Sequence, residues 1–283
     1  MNRMNRKSKR RGMCGFTLIE LLVVVSIIAL LLSILIPSLS KAKEQARTVV
    51  CQSNLGQWGL VFNVFAGDNN GRFMKGWDGG AATRTQVEDQ WYHALKPYYG
   101  DASLLLCPRA RKPASEVNPG TAGGGVRIWP CSQFEAWGAF PDPPGWAVKA
   151  GDCGSYGINA WVCNPPPDTP IYPDYKAWRW RNINVKRPYD IPLLFDSLWI
   201  DAWCDVTDPV ITIPEQAWIL SSSNNNNPPG IPRLCIIRHP GGINMVFLDG
   251  HVAKSGLRAL WSYRWHQQYD LTKVPHRFPQ WMP

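Results

Sequence analysis

From Phe16 to Leu39 the chain reads FTLIELLVVVSIIALLLSILIPSL, eighteen apolar residues in twenty-four with one carboxylate, Glu20. As a helix this segment would extend about 36 Å, enough to cross a hydrocarbon layer of roughly 30 Å. Pro37 removes a backbone donor and crowds the preceding turn, which predicts a kink. Beyond it the pattern turns amphipathic: Lys41, Lys43, Glu44 and Arg47 lie among Ala42, Ala46, Val49 and Val50, and the apolar set continues through Leu60, Val61 and Val64. The spacing predicts one helix from about residue 16 to 66, stopped by the turn-forming run Gly67-Asp68-Asn69-Asn70-Gly71.

Residues 74 to 192 offer no sustained helical period. Trp91 to Leu95 predicts a short helix ended by Pro97, and Leu104 to Pro108 a short buried strand. Gly120 to Gly125, Asn164 to Pro173 and Ser221 to Gly230 are loops by composition. From Arg233, RLCIIRHPGGINMVFLDGHVAKS predicts a meander at 233–255. Its strands are 233–239, 243–248 and 251–255, joined by Pro240-Gly241-Gly242 and Asp249-Gly250 turns. Both faces of the middle strand are apolar, as in a covered central strand. Leu257, Leu260, Trp261 and Trp265 predict a short amphipathic helix packed on the sheet, and Pro275 to Pro283 an extended strap.

Composition excludes disorder along the whole 283 residues, since 45% are hydrophobic and 18% charged. Frequent Gly and Pro argue against a mainly helical bundle. The net charge of +9 suggests nucleic acid until its placement is considered. Residues 1 to 15 hold six cations and no acid, so the remainder carries 24 Lys and Arg against 21 Asp and Glu, or +3. Basic residues ahead of an apolar span instead place the N-terminus in the cytoplasm. A secretory signal peptide cut near Ser38-Leu39-Ser40 is the competing reading. The apolar run is too long for one, and Glu20 inside the span needs a partner or a purpose.

The string Gly15-Phe16-Thr17-Leu18-Ile19-Glu20, after a basic leader and before an apolar helix, resembles the processing site of type IV prepilins and type II secretion pseudopilins. The resemblance implies cleavage after Gly15 by a prepilin peptidase, N-methylation of Phe16 by the same peptidase/methyltransferase, and assembly with other pilin subunits. Glu20 then pairs with the terminal amine of a neighbouring subunit. It implies an inner-membrane protein crossing once, its globular part in the periplasm or in a surface filament. Residues from Ala46-Arg47 through Asn54-Leu55 to Phe73 look like the same stretch of the major pseudopilin. His239, nine residues, then Asp249-Gly250 matches the H-X9-DG pattern of long pseudopilin-like proteins.

The divisions expected are a removed leader (1–15), a transmembrane and assembly helix (16–39), its amphipathic continuation (40–66) and an exported globular domain (67–283). The fold expected is α+β and pilin-like, a long N-terminal helix on an antiparallel sheet with long loops. Cys14 leaves with the leader. Cys51, Cys107, Cys131, Cys153, Cys163, Cys204 and Cys235 are disulfide candidates in an oxidising compartment, with Cys153–Cys163 the best local pair. Their wide spacing argues against zinc. Calcium, which major pseudopilins bind, is considered through Asp196, Asp201, Asp205 and Asp208, although their spacing is not that of a recognised calcium loop.

No cofactor is otherwise expected, and the chain is read as a structural subunit with no catalytic residue. Two other functions are weighed. One is a metal hydrolase on His239, Asp249 and His251, if the hairpin folds His239 toward the other two. The other is a glycan-binding module on the Trp-rich surface, with Trp178 and Trp180 on one strand face and Arg179 and Arg181 on the other. With the mature chain near +3, no nucleic-acid partner is expected.

Overall fold

The computed structural model describes residues 17–76, 89–114, 130, 132–138, 149–166, 177–214 and 230–283. The leader with Gly15, Phe16, Cys131 and the loops at 120–125 and 221–229 lie outside the described residues. The chain divides into two compact units, 1–45 and 46–283.

Helix α1 (Leu18–Asp68) supplies most of the first unit and continues into the second. From residue 18 to 39 every side chain is exposed, and the helix is long and apolar enough to cross a membrane. Its serines suit such a setting: Ser26, Ser33 and Ser38 each donate to the carbonyl three residues back, at 2.7, 2.7 and 2.8 Å. These bonds satisfy hydroxyls that lipid cannot. The helix runs on through Pro37.

In the second unit α1 buries Cys51, Leu55, Trp58, Gly59, Phe62 and Ala66, a stripe at three- and four-residue spacing. Of the apolar set predicted for this half, Val61 packs partly against the core, while Val49, Val50, Leu60 and Val64 face outward. Aromatic bulk decides which face turns in, since Trp58 and Phe62 bury more area than valines. At Gly59 a Cβ would lie 3.0 Å from Val246 Cγ2, so glycine lets the helix lie close to the sheet. The helix ends at a left-handed pair, Asn70 (φ 56°) and Gly71 (φ 77°), with Gly71 N–H donating to Ala66 O at 2.7 Å.

A small three-stranded sheet comprises β1 (Lys112–Pro113), β2 (Glu135–Gly138) and β3 (Cys153–Gly154). The main sheet comprises β4 (Tyr156–Asn159), β5 (Pro192–Asp196), β6 (Asp201–Ala202), β7 (Ile243–Phe247) and β8 (Val252–Ser255), in the order β6-β4-β5-β7-β8. Its pairings are antiparallel except β4–β6. After β5 the chain reverses over residues 197–200 and passes beyond β4, so β6 runs in the direction of β4. Gly157 permits the crossing, because a Cβ there would come within 2.6 Å of Trp199 O and 2.8 Å of Ser197 Cβ. Strand β7 is buried throughout between β5 and β8, the covered strand its two apolar faces predict.

Three predicted strands are not formed. Residues 231–234 make a 3-10 turn with Pro232 at its start, and the Arg233 guanidinium is buried against Asp201 at 2.7 Å. Residues 102–105 also form a 3-10 turn, begun by Asp101 accepting from Ser103 N–H at 2.8 Å. Residues 177–181 are not a strand, and Arg179 and Trp180 are both buried. The other local predictions hold in shortened form: α2 (Trp91–Ala94) precedes the Pro97 turn, and residues 257–262 are 3-10 helix with Leu257, Leu260 and Trp261 buried. The strap is anchored by Met282, which is buried, and by Trp281 Nε1 donating to Thr212 O at 2.8 Å.

Trp58 ties helix to loops. It is fully buried, donates to Leu104 O at 2.9 Å, and meets Trp91 and Tyr99 edge-on at 5.0 and 4.7 Å. Urea unfolding of the full chain in detergent should show Trp58→Ala losing about 3–5 kcal/mol. The exposed Leu60→Ala should change stability by less than about 0.5 kcal/mol.

Candidate functional site

The first site lies at the start of α1. Thr17 N–H and Thr17 Oγ1 both donate to Glu20 Oε2 at 2.8 Å, and Glu20 N–H donates to Thr17 Oγ1 at 3.2 Å. This is a capping box, in which a Thr and a Glu three residues on satisfy each other's backbone donors. The motif was legible as Thr-x-x-Glu ahead of an apolar run, yet sequence reasoning attended to Glu20 and missed Thr17. Glu20 is therefore a helix cap as well as the one carboxylate between residues 16 and 39.

The second site surrounds His239, which is fully buried in the loop before β7. Its Nε2 lies 3.3 Å from Asp196 Oδ2 and 3.3 Å from Cys107 Sγ, and its Nδ1 is 3.1 Å from Thr48 Oγ1. Asp196, the last residue of β5, accepts from Asn244 N–H at 2.9 Å and from Arg238 Nη1 at 3.3 Å. The Cys51 thiol, on α1, points at both Asp196 oxygens at 3.7 and 3.8 Å and accepts from Tyr156 OH at 3.3 Å. Cys51, Cys107, Asp196, Arg238 and His239 are all at zero exposure.

Electrostatics there follow from burial and pairing. Burial opposes the Asp196 carboxylate, but the His239 hydrogen bond and the Arg238 charge hold its pKa below the ordinary value. Burial likewise disfavours charged His239, yet Asp196 and Cys107 raise it to about 9. The Cys51 thiol is pushed well up, chiefly by burial.

His239 is not brought to Asp249 and His251. The Pro240–Gly242 turn and the Asp249-Gly250 turn sit at opposite ends of β7, five residues long. At about 3.3 Å per residue they are separated by roughly 15 Å. Asp249 and His251 instead pair with each other at 2.6 Å on the surface, with the His251 ring stacked on Phe247 at 4.3 Å. Gly250 takes φ 87°, as the turn requires.

Of the acids considered for calcium, Asp205 and Asp208 meet, Asp205 N–H donating to Asp208 Oδ2 at 2.9 Å, and each of the four has a protein partner. Asp201 binds Arg233, and Asp205 binds His266 at 2.8 Å. Asp208 accepts from Ile231 N–H at 2.8 Å, with burial raising its pKa to about 6. Trp178 and Trp180 present no paired surface: Trp178 stacks on His266 at 4.2 Å, and the buried Trp180 donates to Trp265 O at 2.9 Å.

Cys153 and Cys163 are not bonded to each other, and the Cys163 thiol donates to Ala160 O at 3.2 Å. Cys204 and Cys235 are buried thiols raised in pKa by burial.

Residues 10–36 match the family described as the prokaryotic N-terminal methylation motif. Over 60 residues, 21% of this chain, the sequence is 42% identical to the type IV wide pilus major component PilA4 of Thermus thermophilus. That match covers 46% of PilA4, so the chain spans less than half of that relative's length. No solved structure matches the chain. The chain is prepilin-like at its amino terminus, with an apolar helix fit for membrane anchoring and an α+β, pilin-like fold.

The two turns flanking β7 differ in what they support. Removing Arg238 leaves the buried Asp196 charge without its guanidinium partner, so Arg238→Ala should cost about 3–5 kcal/mol in denaturant unfolding. His251→Ala, on the exposed turn, should cost less than about 1 kcal/mol. Equal costs would contradict this division.

Proposed function

We propose that the chain is the precursor of a filament subunit, a pseudopilin or minor pilin of a type II secretion or type IV pilus-like system. A prepilin peptidase cuts after Gly15, Phe16 becomes the methylated amino terminus, and subunits pack through the helix that follows. The observation that carries this reading is a wholly exposed apolar surface from residue 18 to 39 interrupted by one carboxylate, Glu20. The N-terminal methylation match and the likeness to a pilus component support it.

In lipid such a surface is satisfied by bilayer or by other helices, but an ionised carboxylate costs on the order of 2.5–3.5 kcal/mol on insertion scales and calls for a partner. The new Phe16 amine of a neighbouring subunit is that partner. Both Thr17 donors converge on Glu20 Oε2, which leaves Oε1, without a hydrogen bond among the described residues, to the incoming amine. The basic leader holds the N-terminus at the cytoplasmic face until it is cut away, and the larger unit is carried across. Val49, Val50, Leu60 and Val64, apolar and exposed on α1, extend the packing surface past the membrane. The large second unit fits a specialised subunit better than a main building block, because close helical stacking limits bulk.

Mass spectrometry of the mature protein should find a chain beginning at Phe16 with one methyl group on its amine. A start at Lys41 would show a secreted protein instead and overturn the filament reading. Glu20→Ala should be cleaved normally while filament yield drops roughly tenfold or more. Undiminished filament yield would remove the role given to its carboxylate.

A further inference from the structure

We propose that Cys51 Sγ, Cys107 Sγ, Asp196 Oδ2 and His239 Nε2 form a tetrahedral site for a divalent transition metal, Zn²⁺ by ligand chemistry, which pins the second half of α1 to the sheet. The four ligand atoms lie within 4.8 Å of one another and all four residues are fully buried. Ligand bonds of about 2.3 Å to sulfur and about 2.0 Å to nitrogen and oxygen give a tetrahedron with edges of roughly 3.3 Å (N to O) and roughly 3.5 Å (S to N or O). The observed edges are 3.3 Å from His239 to Asp196, 3.3 Å from Cys107 to His239, and 3.8 Å from Cys51 to Asp196 Oδ2. Three of the six edges are therefore close to those of a coordination shell, and the other three lie within 4.8 Å.

The surroundings are those of a metal site rather than of a chance polar pocket. His239 Nδ1 pairs with Thr48 Oγ1 at 3.1 Å, which orients the ring with Nε2 turned toward Cys107 and Asp196. Asn244 N–H fixes the Asp196 oxygen that faces the histidine, and Arg238 takes the other oxygen. When M²⁺ enters, the two thiol protons and the proton on His239 Nε2 pass to solvent. Two thiolates and a carboxylate then carry three negative charges, the metal cancels two and Arg238 the third, so a fully buried cluster becomes neutral. Two sulfurs with one nitrogen select zinc over the hard, oxygen-seeking calcium and magnesium. The ligands come from α1, the loop after residue 105, the end of β5 and the loop before β7, so one ion cross-links four distant segments as a disulfide cross-links two.

The test is metal analysis of the full-length protein, purified in detergent without chelator. About one zinc per chain is expected, with less than roughly a tenth of that left in Cys107→Ser and His239→Ala. Cys163→Ser and His251→Ala, which alter a buried thiol and an exposed imidazole elsewhere, should keep the full complement. Because ligand variants can fail to fold, wild-type protein is also exchanged with Co²⁺. Thiolate-to-cobalt charge transfer in the near ultraviolet with tetrahedral visible bands is expected. Chelator extraction should lower the thermal midpoint by on the order of 10 °C, restored by zinc. Wild-type protein without zinc and without the cobalt bands would overturn the proposal. So would a Cys51–Cys107 disulfide in the non-reduced peptide map, or zinc retained in both ligand variants.

Discussion

The Asp196 carboxylate is the constraint around which the second unit is organised. It stands at zero exposure at the end of the central strand of the main sheet, where an unpaired charge is not tolerated. Four groups answer it: the Arg238 guanidinium, the His239 imidazole, the Asn244 N–H and the Cys51 thiol. Arg238 in turn binds the carbonyls of Ser155 and Ser197, so the requirement reaches the start of β4 and the crossing loop after β5. Helix α1 docks where Cys51 meets Asp196, and Gly59 lets the next turns settle against Val246.

This arrangement separates two tasks along one helix. Its first part is exposed, apolar and satisfied only by lipid or other helices, with the single charge at its start held in a local cap. Its second part is committed to a core rich in aromatic rings, where Trp58, Trp91 and Tyr99 meet edge to edge. The described tryptophans mostly serve this core rather than a binding surface, their indole N–H groups spent on buried carbonyls such as Leu104 O, Ile200 O and Cys204 O.

Where local pattern and tertiary packing agreed, the sequence was readable. The long helix, its end at Asn70-Gly71, the covered strand β7 and the Asp249-Gly250 turn each depend on residues close together in the chain. Disagreement arose where a distant partner outweighed local preference. Arg233 in an apparent strand is drawn into the core by Asp201, and Pro232 tightens the backbone into a 3-10 turn. Valines on α1 yielded the inner face to Trp58 and Phe62. His239 was singled out by its spacing to Asp249, yet its partners are Cys107 and Asp196, 132 and 43 positions earlier in the chain.

The sequence by itself determined the amino-terminal features: a basic run, an N-terminal methylation motif, a span long enough for a membrane and a carboxylate placed to cap the helix. These are properties of contiguous residues, set by length, charge and periodicity. Only the tertiary structure decided that Cys51, Cys107, Asp196 and His239 share one buried point. Four segments spread over almost 190 positions are brought together by sheet order and helix docking, and no spacing rule along the chain encodes a meeting that long-range packing creates.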